Sequence, residues 1–451
     1  MLCELAERNR ARFPLRACVS GDGGRWTYGD VYEMATQFAQ GLSLRGVSRV
    51  GLHLSDSKEL IAAFIALDML GAQAYLFDRE RSTEHVRALC EESAVPLCLT
   101  DDTSDDEPPF VHVAGIPSAA VPSRPPGGAS PGQVALWTSG TTGTPKSAVH
   151  TWRSLLGPLR EHERFYGSRW MLLFALTRFA GIEVFLQAFV NGGCVTILND
   201  RSMSRIVEHL GMEQITHVSA TPTFWWTLLL ETVPEQRKGL SLAQITLGGE
   251  WAPQPLLTAL RQAFPSARIT HTYASTEAGL CFAASDGLEG YPVEAIERNP
   301  RGVHVQIVDE ELWIASPHAM QGVATDDRVQ RGWVPTGDVV AWRDGRLMIV
   351  GRKTGCIHVA GYKVYPAEVE REIRQVPGVL EVWVSGAPSS IIGQVVQAHV
   401  VPAPGRSTDE LRRSILRHCA TTLPRHQVPQ LMAFVSEIPM AASGKAVGRH
   451  G

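Results

Sequence analysis

From residue 49 onward, short apolar runs alternate with stretches in which apolar residues recur every three or four positions. Runs at 50–54 and 74–77 flank a helical pattern over 59–70, and 83–92 reads as a helix before a run at 96–99. The positions 171–176, 182–190 and 194–198 repeat strand, helix, strand. This rhythm predicts parallel or mixed sheets covered by helices on both faces. It resumes with a helix near 205–210, a strand over 216–220, a helix from Phe224, a strand over 244–247, a helix over 254–264 and a strand over 268–273. After Gly302 the pattern becomes strict alternation, 303–308 and 312–314 around the acidic turn Asp309-Glu310, which predicts a hairpin or small barrel. Behind Pro366, a period of 3.6 over 367–376 turns Val369, Ile373 and Val376 inward. Residues 101–132 break the rhythm with an acidic cluster and seven prolines, and read as a surface excursion feeding the strand at 134–137. The chain contains no internal repeat.

Composition narrows the class. At 451 residues, 44% hydrophobic and 20% charged, the chain is long enough for two or three globular domains. A net charge of -4 gives no general attraction to nucleic acid, so any anion site is local. Eight cysteines lie scattered without a Cys-x-x-Cys pair, which argues against structural zinc and a disulfide framework and fits free thiols in the cytoplasm. The first 13 residues lack the apolar core of a signal peptide, and no uncharged run reaches the ~18 residues of a membrane span.

The chemistry concentrates after the 134–137 run, in Thr138-Ser139-Gly140-Thr141-Thr142-Gly143-Thr144-Pro145-Lys146. Glycines let the backbone approach an anion, hydroxyls and free N–H groups donate to it, and Lys146 adds a mobile positive charge. A P-loop requires Gly directly before its Lys, and Pro145 stands there instead. An exposed Ser/Thr/Gly loop is the plainer alternative for a shorter cluster. Further along come Gly248-Gly249-Glu250, His271-Thr272-Tyr273-Ala274-Ser275-Thr276-Glu277, Pro335-Thr336-Gly337-Asp338, Gly351-Arg352-Lys353-Thr354-Gly355, a 361–370 segment and Ser443-Gly444-Lys445. Singly, these also fit a tight loop, a helix cap, a common turn and a chain-end tail. In open α/β sheets ligands bind beyond the carboxyl ends of strands, so the turns at 219–222, 248–250 and 274–277 are expected to converge on the Thr138 loop.

Together and in this order, the motifs resemble those of the adenylate-forming superfamily of acyl- and aryl-CoA synthetases, adenylation domains and luciferases. The resemblance spans about the last 70% of the chain. It implies an α/β fold: a large N-terminal AMP-binding domain of layered α/β sheets with a small barrel-like subdomain (1–351), plus a small mobile α+β C-terminal domain (352–451) carrying a catalytic lysine. It further implies that Thr138, Ser139, Gly140, Thr141, Thr142, Gly143 and Lys146 hold the phosphates of ATP, with Gly249, Glu250 and Tyr273 around adenine and Asp338 and Arg352 on ribose. Thr276 and Glu277 then serve the phosphates and Mg²⁺, Glu277 as metal ligand, and Lys445 supplies charge in the transition state. Where the family usually carries Asp or Lys at its hinge, this chain has Thr354.

The implied reaction is carboxylic acid activation through an acyl-AMP, then thioester formation with CoA or a phosphopantetheine thiol. Arg178, Phe179, Trp225 and Trp251 are the expected walls of the acid pocket, whose bulk favours an aryl or compact acyl group; an aromatic core is the alternative. Arg178 either neutralises a substrate carboxylate or pairs with Glu183. Basic candidates for the CoA nucleotide are Arg352, Lys353, His358 and Lys363. The expected partners are a small-molecule carboxylic acid and, as one of two acceptors, an acyl carrier protein. Chain length and residues 147–151 also resemble o-succinylbenzoate–CoA ligases. A stand-alone carrier-loading enzyme and a non-catalytic nucleotide binder are the other readings.

Overall fold

The computed structural model describes residues 1–55, 57–102, 107–116, 131–138, 146–321, 332–389 and 393–438. Two large sheets build the N-terminal part. The first runs in the order 279–284, 268–275, 244–247, 217–220, 169–172, 194–197, 17–21, 24–27, with its outermost strand at each end antiparallel and the rest parallel. The second runs 110–112, 97–100, 49–53, 73–76, 133–138, 146–151, and only its last strand is antiparallel. Crossover helices explain the parallel pairing.

The largest core cluster contains Val19, Leu172 and Val195 of the first sheet and Leu52, Val134 and Leu136 of the second. Helices Tyr28–Ser43, Ser57–Leu70 and Phe179–Val190 contribute to the same cluster. In Ser57–Leu70 every residue from 60 to 69 is buried, as expected of a helix apolar on all sides and enclosed by neighbours. Tyr28–Ser43 starts at a capping box in which Thr27 and Asp30 exchange bonds of 2.8 and 3.1 Å.

A five-stranded antiparallel sheet follows, in the order 291–292, 346–352, 333–343, 311–315, 304–308. The expected hairpin is present: Asp309 and Glu310 turn at φ of 49° and 65°, both in the left-handed region that a two-residue turn with the strands' own twist requires. A new sheet begins at Ile357, comprising 357–359, 362–364, 379–389, 393–402 and 431–434. Helices Pro366–Arg374 and Thr408–Thr422 lie on it, joined by a core of Val369, Ile373, Val382, Val400 and Ile415. Val369, Ile373 and Val376 are buried as the periodicity requires, and Pro366 occupies the first helical turn.

Three elements escape the periodicity reading. Leu2–Arg12 is a helix whose buried residues, Leu2, Cys3, Ala6 and Asn9, make a stripe interrupted by charge. Gly279–Ala284 is an edge strand rather than loop, folded back on 268–275. Within the proline-rich excursion, Phe110–His112 pairs with 97–100, and Asp101 accepts hydrogen bonds from Ser55 N (2.8 Å) and Arg79 Nη1 (3.0 Å). Local contacts tie down what composition reads as a free loop. Among the described residues no helix is long and apolar enough to cross a membrane.

Candidate active site

Register places the expected turns on one edge. Ala220, Leu247 and His271 are consecutive partners across three parallel strands, so the chain leaves each of them on the same side. The first two turns are joined directly, because the Glu250 Oε2 accepts from Thr223 N (3.2 Å) and Thr223 Oγ1 (2.6 Å). Gly249 sits there at φ 78°, a conformation glycine adopts without strain.

The third turn, residues 276–278, closes the hairpin between 268–275 and 279–284. Gly279 has φ 78° and a Cβ there would lie 3.0 Å from the His318 carbonyl oxygen, so a side chain at this position is excluded twice over. His150 Nε2 bonds the Thr276 carbonyl at 2.6 Å, Met320 N donates to Glu277 O at 2.9 Å and Gln321 N to Val149 O at 2.6 Å. These contacts bind strand Lys146–Thr151 to the Thr276 turn. His150 is buried, and burial lowers its pKa, which keeps the ring neutral and suited to a carbonyl partner. The Glu277 carboxylate makes no hydrogen bond or ion pair with any described residue.

Strands Gln133–Thr138 and Lys146–Thr151 are antiparallel with Thr138 opposite Lys146, which sets the expected phosphate loop between them. Ser139, Gly140, Thr141, Thr142 and Gly143 lie outside the described residues, as does Lys445.

Three residues expected at the nucleoside form one bonded chain. Tyr273 Oη donates to Asp338 Oδ2 at 2.5 Å, and Arg352 Nε lies 2.8 Å from Asp338 Oδ1. Asp338 and Arg352 are cross-strand partners in the antiparallel sheet, and Arg352 Nη1 also donates to Thr336 O at 3.2 Å. The Tyr273 ring stacks on Phe282 with centroids 4.9 Å apart and planes 9° from parallel. Burial and then the Asp338 charge raise the tyrosine pKa well above its ordinary value, so its hydroxyl stays a donor. Beside this chain, Glu311 accepts from Gly337 N (2.8 Å) and pairs with Lys353 (2.6 Å).

The expected acid pocket needs revision. Trp225 is fully buried in the core below the first sheet, donating to Thr246 O at 3.3 Å and packing edge-on to Phe224 and Phe264. It is core, because its side of helix Pro222–Glu231 faces Leu228 and Leu256 in the same apolar cluster. Trp251 packs against Val339, Met348 and Val350 of the antiparallel sheet. Arg178 pairs with Asp78, not with Glu183, and donates to Trp137 O at 3.4 Å. Thr177 Oγ1 holds the other Asp78 oxygen at 2.5 Å. Phe179 begins helix Phe179–Val190 with its ring 5.7 Å from His150, which places it beside the Thr276 turn.

Glu183, expected only as an alternative partner of Arg178, has other neighbours. Its Oε1 accepts from Gln187 at 2.9 Å, and burial pushes its pKa up to about 7 against the opposing field of Arg301. A carboxylate and an amide four apart on a helix signal only a polar stripe, and Arg301 lies far along the chain. No sequence signal joins them.

Among proteins of known name, 2-succinylbenzoate–CoA ligase of Bacillus mycoides (strain KBAB4) is 25% identical over 97% of this chain and 95% of its own. The same-named protein of Bacillus cereus (strain ATCC 14579) is 27% identical over the same shares. In structure, the chain is similar to an anthranilate CoA ligase in complex with anthranoyl-AMP, with a TM-score of 0.83 at 20% identity over 99% of this chain and 95% of that one. It is also similar to o-succinylbenzoate CoA synthetase from Bacillus subtilis in complex with its acyl-adenylate, with a TM-score of 0.75 at 22% identity over 98% and 96%. Residues 6–323 match the AMP-binding enzyme family and residues 368–445 its C-terminal domain, and the chain therefore belongs to the adenylate-forming AMP-binding enzymes.

Proposed function

We propose that this protein is an ATP-dependent acid–thiol ligase that joins a small aryl or compact carboxylic acid to AMP and then passes the acyl group to CoA. One juxtaposition carries the reading: Tyr273 of the Tyr273–Asp338–Arg352 chain and the Thr276–Glu277 turn share a single strand end. Nucleoside-binding and phosphate-binding chemistry thus meet without a gap. In this reading Asp338 and Arg352 hold the ribose hydroxyls, Tyr273 and the Gly249–Glu250 turn border adenine, and the Thr138 loop with Lys146 takes the phosphates. Mg²⁺, when bound, neutralises phosphate charge, and an unengaged Glu277 carboxylate on a fixed turn fits an ion that takes one or two carboxylates plus substrate oxygens.

In the first step a carboxylate oxygen of the acid forms a bond to the α-phosphorus as the bond to pyrophosphate breaks. An anion approaches a polyanion, so positive charge aimed at that phosphorus dominates the barrier reduction, and Lys445 is its source. In the second step the thiol sulfur attacks the acyl carbonyl, AMP leaves with the C–O bond electrons, and the thiol proton passes to water. A boundary at 351/352, with Thr354 in the hinge, lets the C-terminal domain withdraw Lys445 between the steps. The ion pair Arg343–Glu368 (2.6 Å) crosses that boundary and would break or re-form on rotation.

Arg178, Phe179 and Trp251 remain the candidate pocket walls. The names of the relatives make 2-succinylbenzoate the first acid to try and CoA the first acceptor. Pyrophosphate exchange with a panel of acids tests the class, and exchange with none of them would exclude it. Lys445→Ala should slow adenylation about 10²–10³-fold, the usual loss for one transition-state donor, while transfer from supplied acyl-AMP stays nearly unchanged. Equal loss in both half-reactions would contradict the assignment.

A further inference from the structure

Two independent paths lead from the Thr276 turn to the same buried polar pair. Along the first, His150 binds Thr276 O and packs on Phe179, and Glu183 lies one helical turn beyond Phe179, about 6 Å deeper at 1.5 Å per residue. Along the second, the strand leaving the turn reaches Cys281 about 7 Å past Gly279. Asn299 Nδ2 donates to Cys281 O at 2.7 Å, and Arg301 N caps the Asn299 side chain at 2.9 Å. Arg301 is thus hung beside the strand by a short, bonded loop, with the His318 ring against its backbone.

The pair is oppositely charged and open. Arg301 and Glu183 feel each other's field, yet no hydrogen bond or ion pair joins them. Arg301 Nε is buried and has no hydrogen-bond partner among the described residues. Glu183 gives only one oxygen, to Gln187, and although it lies deep in the fold it keeps accessible surface, as Ala180 and Gln187 do on the same helix face. A buried donor left unmade is costly, and it is tolerated where a ligand completes it.

Resting on the ligase reading above, we propose that Arg301 is a specificity-determining residue. It donates from Nε to a second oxygen acceptor of the acid, remote from the reacting carboxylate, while the bonded 299–301 loop holds it in place and the Glu183 field offsets its charge. The substrate class is then an aryl or compact acid bearing a carbonyl, hydroxyl or second carboxylate about one ring-width from the carboxylate that is activated. A site built to hydrogen-bond such a group rejects analogues that lack it far more strongly than an apolar pocket rejects a missing methylene.

The test uses the full chain and pyrophosphate exchange with matched acids: 2-succinylbenzoate, hydroxybenzoates, and benzoate and toluates as counterparts that lack the second oxygen group. The wild type should favour an oxygen-bearing acid over its methyl isostere by about tenfold or more in kcat/KM, chiefly through KM. Arg301→Leu should bring that ratio close to one while exchange with the methyl acid persists, and Arg301→Lys should fall between. A largest ratio for a hydroxybenzoate identifies a hydroxyl acceptor, and one for 2-succinylbenzoate a carbonyl or carboxylate. An unchanged ratio in an active Arg301→Leu protein overturns the proposal, as does a wild type indifferent to the oxygen. Calorimetric binding of the same acids in the presence of ATP separates the two readings. Selective binding without exchange defeats the ligase assignment and keeps the subsite, whereas exchange without selectivity does the reverse.

Discussion

Two acid–arginine pairs flank the strand that carries the Thr276 turn, and they are built on opposite plans. Asp338 and Arg352 touch at 2.8 Å, and Tyr273 adds a third bond, so this pair is complete without a ligand. Glu183 and Arg301 lie within each other's field, with no hydrogen bond or ion pair between them among the described residues. The first pair is preorganised: cross-strand register fixes both partners, so the ribose proposed to bind there would find its acceptors already oriented. The second holds unmet charge in a low-dielectric setting, which destabilises the fold until something bridges it. A site common to all nucleotide users can be prebuilt, whereas one that discriminates among acids gains from remaining unsatisfied by the wrong one.

The contrast has a pH consequence, and it is the largest stability effect expected. Glu183 titrates at about 7 in the fold against 4.5 in the unfolded chain, with burial dominant and Arg301 and Gln187 opposing. Between those values the folded state binds more protons than the unfolded one, so stability falls as pH rises from 4.5 to 7 and is level above. The loss is at most about 3–4 kcal/mol at 1.36 kcal/mol per unit of pKa. Denaturant unfolding at pH 5 and pH 8 measures it, and Glu183→Gln should lack that part of the profile. Parallel profiles for the two proteins would show that Glu183 is solvated and that the pair is not as open as described.

How much of this was legible in the sequence follows the same division. Asp338, Arg352 and Tyr273 stand in short motifs whose order along the chain identifies them, and the structure brings them into contact. The parallel core was legible too, because a strand buried on both faces is a continuous apolar run that periodicity detects, as at 97–99. What failed depends on long-range packing. Trp225 reads as a pocket wall from its aromatic neighbours, but helix Pro222–Glu231 turns it into the core. Arg178 has Glu183 near it in sequence, yet the loop before the helix swings it onto Asp78, just beyond the interior strand 73–76 of the second sheet. Arg301 follows an irregular loop with no periodicity to read. Its nearness to Glu183 exists only once strand 279–284 has folded back on 268–275.

On the closed side, Asp338→Ala should weaken ATP binding by roughly 1.5–3 kcal/mol, the scale of hydrogen bonds to a charged group. The substitution also strips Tyr273 and Arg352 of their shared acceptor, so Asp338→Asn, which keeps the shape and one acceptor, should recover part of the affinity. Calorimetric titration with ATP decides it, and an unchanged dissociation constant would remove Asp338 from the nucleotide site. Glu183→Gln should leave ATP affinity as it is, since nothing on that side touches the nucleoside.

The smallest effect divides the closed cluster itself. In Tyr273→Phe the ring that stacks on Phe282 is retained and only the hydroxyl that donates to Asp338 is lost. Because burial holds that hydroxyl in its protonated form, its removal deletes one neutral donor to a carboxylate that still has Arg352 at 2.8 Å. The fold should lose about 0.5–1.5 kcal/mol, the net value of a hydrogen bond. ATP affinity should drop less than in Asp338→Ala, since the carboxylate proposed to meet the ribose remains in place and is still held by Arg352. Should Tyr273→Phe weaken ATP as severely as Asp338→Ala while unfolding at the wild-type denaturant concentration, the hydroxyl itself contacts the nucleotide. The cluster would then open on binding, and the distinction between a closed pair and an open one would belong to the empty protein alone.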